Sequence, residues 1–94
     1  MSRHISRKQR WQQLSAKEYA AVEGRVVYRE RAWFGIVKYK TRSDASADHM
    51  PEWETHEQRL GPFKRPRDAM VAVEREVTFL RNRHGDRFLL EGEA

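Results

Sequence analysis

Residues 66–84 place the strongest single constraint on what this chain can fold into. Met70, Val73, Val77 and Leu80 recur at the three-and-four spacing of one helical face, with Ala69 and Ala72 beside them and Glu74, Arg75 and Arg81 off it. The segment also carries its own punctuation. Pro66 suits a first helical position, because the N–H it lacks is one that a helix start leaves unpaired. Asp68 in the first turn and Arg81, Arg83 and His84 in the last complement the helix dipole, and Gly85 supplies the stop. An amphipathic helix cannot bury its apolar side alone, so this one predicts a sheet for it to cover, entered through the corner Leu60-Gly61-Pro62-Phe63.

Size fixes how many such units there can be. Ninety-four residues, 38% of them apolar and three of them Trp, suffice for one small core and not for two. The expected organisation is a flexible basic tail over 1–10, a single domain over 11–90 and a polar end over 91–94. The formal net charge of +5 favours meetings with polyanions, and it is unevenly spread. Residues 1–42 hold eleven Lys and Arg against three acids, residues 43–62 hold one against five, and residues 63–94 hold seven against six. The absence of cysteine excludes disulfides, thiolate chemistry and Cys-based zinc sites. Met1 to Lys8 is charged with no apolar run behind it, so neither a secretory signal nor a membrane association is expected, and the cytoplasm is the expected location.

Along the chain, Leu14-Ser15-Ala16-Lys17-Glu18-Tyr19 has the form of a helix start, with Ser15 as cap, Glu18 returning the hydrogen bond and Leu14 stapled to Tyr19. It predicts a helix of about two turns ending at Gly24, too short to stand unsupported. Arg25 to Arg31 and Trp33 to Lys40 are rich in Val, Tyr, Trp, Phe and Ile and predict two strands joined by a very short turn around Arg31-Ala32. Residues 41–52 are polar and predict a mobile loop, Trp53 to Leu60 a weak edge strand, and Phe88-Leu89-Leu90 a small cluster folding back on the core. The expected fold is α+β: a three-stranded antiparallel sheet packed on the C-terminal amphipathic helix, with a short N-terminal helix, in the order α-β-β-β-α.

Alternation then sorts the strand residues. Val26, Tyr28, Trp33, Val37 and Tyr39 fall to the helix side, leaving Arg25, Arg29, Arg31, Lys38 and Lys40 outward with Phe34 and Ile36 between them. Cations release counterions from a phosphate backbone, and Phe34 and Trp33 offer rings for bases, so this face is the first candidate for nucleic-acid binding. Lys64, Arg65 and Arg67 form a second basic cluster at a helix start, where backbone N–H groups attract anions. Asp44, Asp48, His49, Glu52, Glu54, His56 and Glu57 are metal-ligand types at no recognised spacing, so neither a metal nor another cofactor is expected. With no nucleophile turn, Gly-rich phosphate loop or paired acid and base, binding is expected and catalysis or a small-molecule substrate is not. The competing class is a protein-interaction module, such as a phage- or mobile-element-encoded inhibitor of a host nucleic-acid-handling protein.

The stretch Trp33 to Val73, with its Trp-containing strand, the Leu60-Gly61-Pro62-Phe63 corner and a helix opening near Asp68-Ala69, resembles AP2-type DNA-binding domains. That resemblance implies DNA contact through an exposed three-stranded sheet, carried by Arg25, Arg29, Arg31, Trp33 and Lys38. The acidic stretch before Trp53 and the front helix depart from that pattern. The helix, three strands, helix order is also similar to double-stranded RNA-binding domains, in which Lys64, Arg65 and Arg67 would occupy the position of the phosphate-binding cluster. Pro66 interrupts that cluster here.

Overall fold

A computed structural model of the chain describes residues 10–42 and 52–93. Strands β1 (Gln12–Ser15), β2 (Glu18–Ala21), β3 (Gly24–Arg29), β4 (Ala32–Arg42) and β5 (Trp53–Phe63) precede helix α1 (Pro66–His84) and a last strand, β6 (Phe88–Leu90). All pairings are antiparallel in the order β1-β2-β3-β4-β5. β3 pairs with Ala32 to Ile36 of β4 and β6 with Tyr39 to Thr41, so β6 takes the part of the β4 edge that lies beyond β3. The class is α+β as expected, but among the described residues the sheet has six strands and not three, and one long helix stands where two helices were expected.

The expected N-terminal helix is instead the β1–β2 hairpin. Ser15 uses its hydroxyl in the turn, accepting the Lys17 N–H at 3.2 Å, and Tyr28 N–H bonds the Lys17 carbonyl at 2.9 Å. Glu18, expected to close a capping box, lies opposite Val27 and pairs through its carboxylate with Arg25 at 2.9 Å. The local cap signal is real, but a two-turn helix is marginal in water. The hairpin gains a ladder with β3 and brings Tyr19 to 5.9 Å from Trp33, whose ring also lies 5.2 Å from Tyr28. Aromatic pairs at such separations add about 0.5–1.5 kcal/mol beyond the area they bury.

α1 follows the sequence pattern closely. Pro66 opens it, Asp68 lies in its first turn, Arg81, Arg83 and His84 lie in its last, and the Gly85 N–H returns to the Arg81 carbonyl. Its buried residues are Ala69, Met70, Val73, Val77 and Leu80. They meet Val26 and Val37 from the sheet and Phe88 and Leu90 from β6. Trp11 closes the same core at 3% exposure, its indole N–H donating to Glu74 Oε2 at 2.9 Å. Arg10 adds ion pairs to Glu23 and, at 3.9 Å, to Glu74.

The helix approaches the sheet closely because Gly24 and Gly35 leave a shallow seat for Val73. A Cβ on Gly35 would stand 2.5 Å from Val73 Cγ2, and one on Gly24 would stand 2.3 Å from the Ile36 carbonyl oxygen and 3.1 Å from Val73 Cγ1. The Ile36 oxygen is backbone and cannot swing away. Gly24→Ala is therefore expected to destabilise the domain by about 1–3 kcal/mol, the usual cost of overpacking. At roughly 4–8 °C per kcal/mol for a domain of this size, a thermal melt reads the change directly. An unchanged melting temperature would show that β3 and β4 can separate there without cost.

Two turns differ in detail from the sequence reading. The β3–β4 hairpin turns on Glu30 (φ 53°) and Arg31 (φ 65°), so Arg31 leaves the strand for the tip. Paired positive φ values match the right-handed twist of the flanking strands, as two-residue hairpins require. Leu60-Gly61-Pro62-Phe63 is not a corner between strand and helix but a bulge inside β5: Leu60 pairs with Gly35 and Phe63 with Trp33, so Gly61 and Pro62 together oppose Phe34. Gly61 holds φ 125°, a conformation that favours glycine. Of the loop expected over 41–52, Thr41 and Arg42 belong instead to β4, and residues 43–51 lie outside the described part of the chain.

Candidate nucleic-acid interface

α1 covers one face of the sheet, and among the described residues no second layer covers the other. Register identifies the occupants of that open face. Arg25 lies opposite Ile36, Val27 opposite Phe34 and Arg29 opposite Ala32. Ile36 lies opposite Arg59, Lys38 opposite Glu57, Lys40 opposite Thr55 and Arg42 opposite Trp53. Six cations (Arg25, Arg29, Lys38, Lys40, Arg42 and Arg59) thus share one side with two carboxylates, Glu18 and Glu57. Their floor is apolar: Val27 is buried, and Phe34 and Ile36 are half-buried.

The carboxylates hold their partners weakly. Arg25 Nη1 meets Glu18 Oε2 at 2.9 Å and Lys38 Nζ meets Glu57 Oε1 at 3.7 Å. Both cations are more than half exposed, at 61% and 52% of their side chains. Exposed pairs of this kind contribute about 0–1 kcal/mol and are screened by salt, so an incoming polyanion can displace them. Arg29 and Lys40 have no ion-pair partner among the described residues. Two guanidiniums lie over rings on this face, Arg59 at 4.0 Å from the Phe34 centroid and Arg42 at 5.8 Å from that of Trp53. Glu57 and Arg59 line one cleft of the face together with Glu18, Arg25, Val27, Arg29, Ile36 and Lys38.

Of the residues singled out in the sequence, the structure brings together Arg25, Arg29, Phe34, Lys38 and Lys40. Arg31 sits at the hairpin tip, at the Arg29 end of the face. Trp33 lies on the helix-covered face within the Tyr19 and Tyr28 cluster, which withdraws it from the rings available to bases. Lys64, Arg65 and Arg67 are exposed where β5 gives way to α1, and no side chain caps that helix start. Because Phe63 pairs with Trp33, this cluster stands at the same end of the sheet as the β3–β4 turn.

Arg42 and Arg59 were not among the sequence candidates. Arg59 sits in a strand whose polar residues fall on both sides, and Arg42 in a stretch that reads as loop. Alternation along β4 reaches Arg42 once the strand is carried past Lys40, whereas Arg59 comes to the open side only through the pairing of β5 with β4, opposite Ile36.

On the acidic side, His56 Nε2 lies 2.8 Å from Thr41 Oγ1 and 4.0 Å from Glu54, with its ring stacked 5.0 Å from Tyr39. Among the described residues no three His, Asp or Glu gather as metal ligands; Asp44, Asp48 and His49 lie outside them. No helix among the described residues is long and apolar enough to cross a membrane. Comparison with protein-family models, with curated proteins and with solved structures returns no significant match.

Proposed function

We propose that the chain is a small nucleic-acid-binding module that contacts phosphates and bases through the open sheet face. The observation that carries this reading is the convergence of Arg25, Arg29, Lys38, Lys40, Arg42 and Arg59 on the side of the sheet that α1 does not cover. Cations spaced along neighbouring strands, with a ring among them, suit a polymer that is charged along its length and aromatic along its bases. Lys64, Arg65, Arg67 and Arg31 extend positive charge past one end of it.

Titration of labelled DNA and RNA at about 50 and 200 mM salt tests the reading, because binding that releases counterions must weaken steeply across that interval. Glu57→Gln should tighten binding about two- to threefold, since it removes a carboxylate from among the phosphates and frees Lys38 from a pair of small worth. A Glu57→Gln protein that binds more weakly than its parent would show that the Lys38–Glu57 pair positions the face rather than masks it. No measurable binding to duplex DNA, single strands or duplex RNA at the lower salt would give first place to a protein partner on this surface.

A further inference from the structure

We propose that the nucleic acid this face takes is single-stranded, with an unpaired base stacking on the two-layer platform made by Arg59 over Phe34. The inference rests on the nucleic-acid reading above and narrows its ligand class.

Around Phe34, where β3 and β5 both flank β4, β1 to β5 spans roughly 19 Å at about 4.8 Å between strands. A major groove of about 12 Å admits a helix or a two-stranded ribbon, so this part of the surface cannot enter a duplex and could only rest on its phosphates. Phe34 is half-buried on β4, beside Val27 on one side and the Gly61-Pro62 bulge on the other. Stacking needs a free base face, and a duplex presents one only at its ends. A splayed single strand presents one at every nucleotide.

The platform itself is prepared. The Arg59 guanidinium lies 4.0 Å from the Phe34 centroid, its side chain is exposed, and no carboxylate pairs with it among the described residues. A planar guanidinium lying over a ring offers its outer side to a further π-system. Gly61 keeps the flank clear: a Cβ there would stand 3.1 Å from Phe34 Cδ1 and press on the ring edge. From the platform, Ile36, Lys38, Lys40 and Arg42 follow on the same side of β4 at about 6.6 Å per step, twice the strand rise. Three of the four are cations, so a strand laid along β4 keeps its phosphates in reach of charge after its base has stacked.

The test compares fluorescence anisotropy of a labelled oligonucleotide of about 15 nucleotides, within the range of single-strand site sizes, with that of the blunt duplex of the same sequence. The expected result is tighter binding of the single strand by about tenfold. Phe34→Leu removes the ring, and Arg59→Lys keeps the charge and removes the plane. Each should weaken single-strand binding by about fivefold or more, with the salt slope unchanged and duplex binding little affected. Arg59 is exposed, so Arg59→Lys reports on binding even if Phe34→Leu unsettles the fold. Equal or tighter duplex binding, or single-strand binding indifferent to both substitutions, overturns the proposal while leaving the nucleic-acid reading in place. Failure of the unmodified protein to bind either form overturns both.

Discussion

Val73→Asp is expected to abolish cooperative folding. Val73 is fully buried at the centre of the α1 face, seated against the backbone at Gly24 and Gly35. The seat fits a branched apolar side chain and leaves no space for water beside it. An unpaired carboxylate placed there costs several kcal/mol, against the roughly 5–15 kcal/mol that hold a small domain together. Far-ultraviolet circular dichroism should show loss of the thermal transition. Phe79→Asp on the outer side of the same helix is the control, since Phe79 is 54% exposed and a surface change of this kind moves stability by only about half a kcal/mol. A folded Val73→Asp protein with an ordinary melt would mean that α1 does not sit on the sheet through this residue.

Replacing Arg25, Arg29 and Lys40 together by Gln should flatten the dependence of log K on log salt by about 2–3 units, because each phosphate neutralised contributes about 0.7–0.9 to that slope. Arg29 and Lys40 should give nearly their full share, having no ion-pair partner to surrender among the described residues. Arg25 must first leave Glu18, so its share should be the smallest. The melt should change little, because all three replacements leave the α1 face untouched. Arg31→Gln, at the hairpin tip, is expected to have a lesser effect than any of the three. A slope that survives the triple replacement would move the phosphate contacts elsewhere, with Lys64, Arg65 and Arg67 next to be tested.

The two outcomes depend on opposite sides of one sheet, and those sides were legible in the sequence to different degrees. Alternation along β3 and β4 separates Val26, Val37 and Tyr39 from Arg25, Arg29, Lys38 and Lys40 without reference to any other strand, because side chains in a strand point alternately to either face. Arg59 joins the second group only once β5 is laid beside β4 in a definite register. That register includes a bulge at Gly61-Pro62 which shifts the pairing between Gly35 and Trp33. A bulge changes which residues are neighbours while leaving local composition the same, so the guanidinium over Phe34 had no local signature.

What the sequence determined by itself was the element with complete local instructions. In α1 the periodicity, Pro66, the end charges and Gly85 all agree, and the structure follows them from Pro66 to His84. The front of the chain had equally clear local instructions and did not obey them. Ser15, Glu18 and Leu14 form a good helix start, yet a two-turn helix gains too little to outweigh a ladder with β3 and the burial of Tyr19 against Trp33. That same competition raised the sheet from three strands to six: β2 came from the expected helix, β1 from the residues leading into its expected cap at Ser15, and β6 from a three-residue cluster that pairs with β4 where β3 stops. Tertiary structure decided these because edge strands are stabilised by the neighbour they meet, and a short segment carries no record of which edge will be open to it.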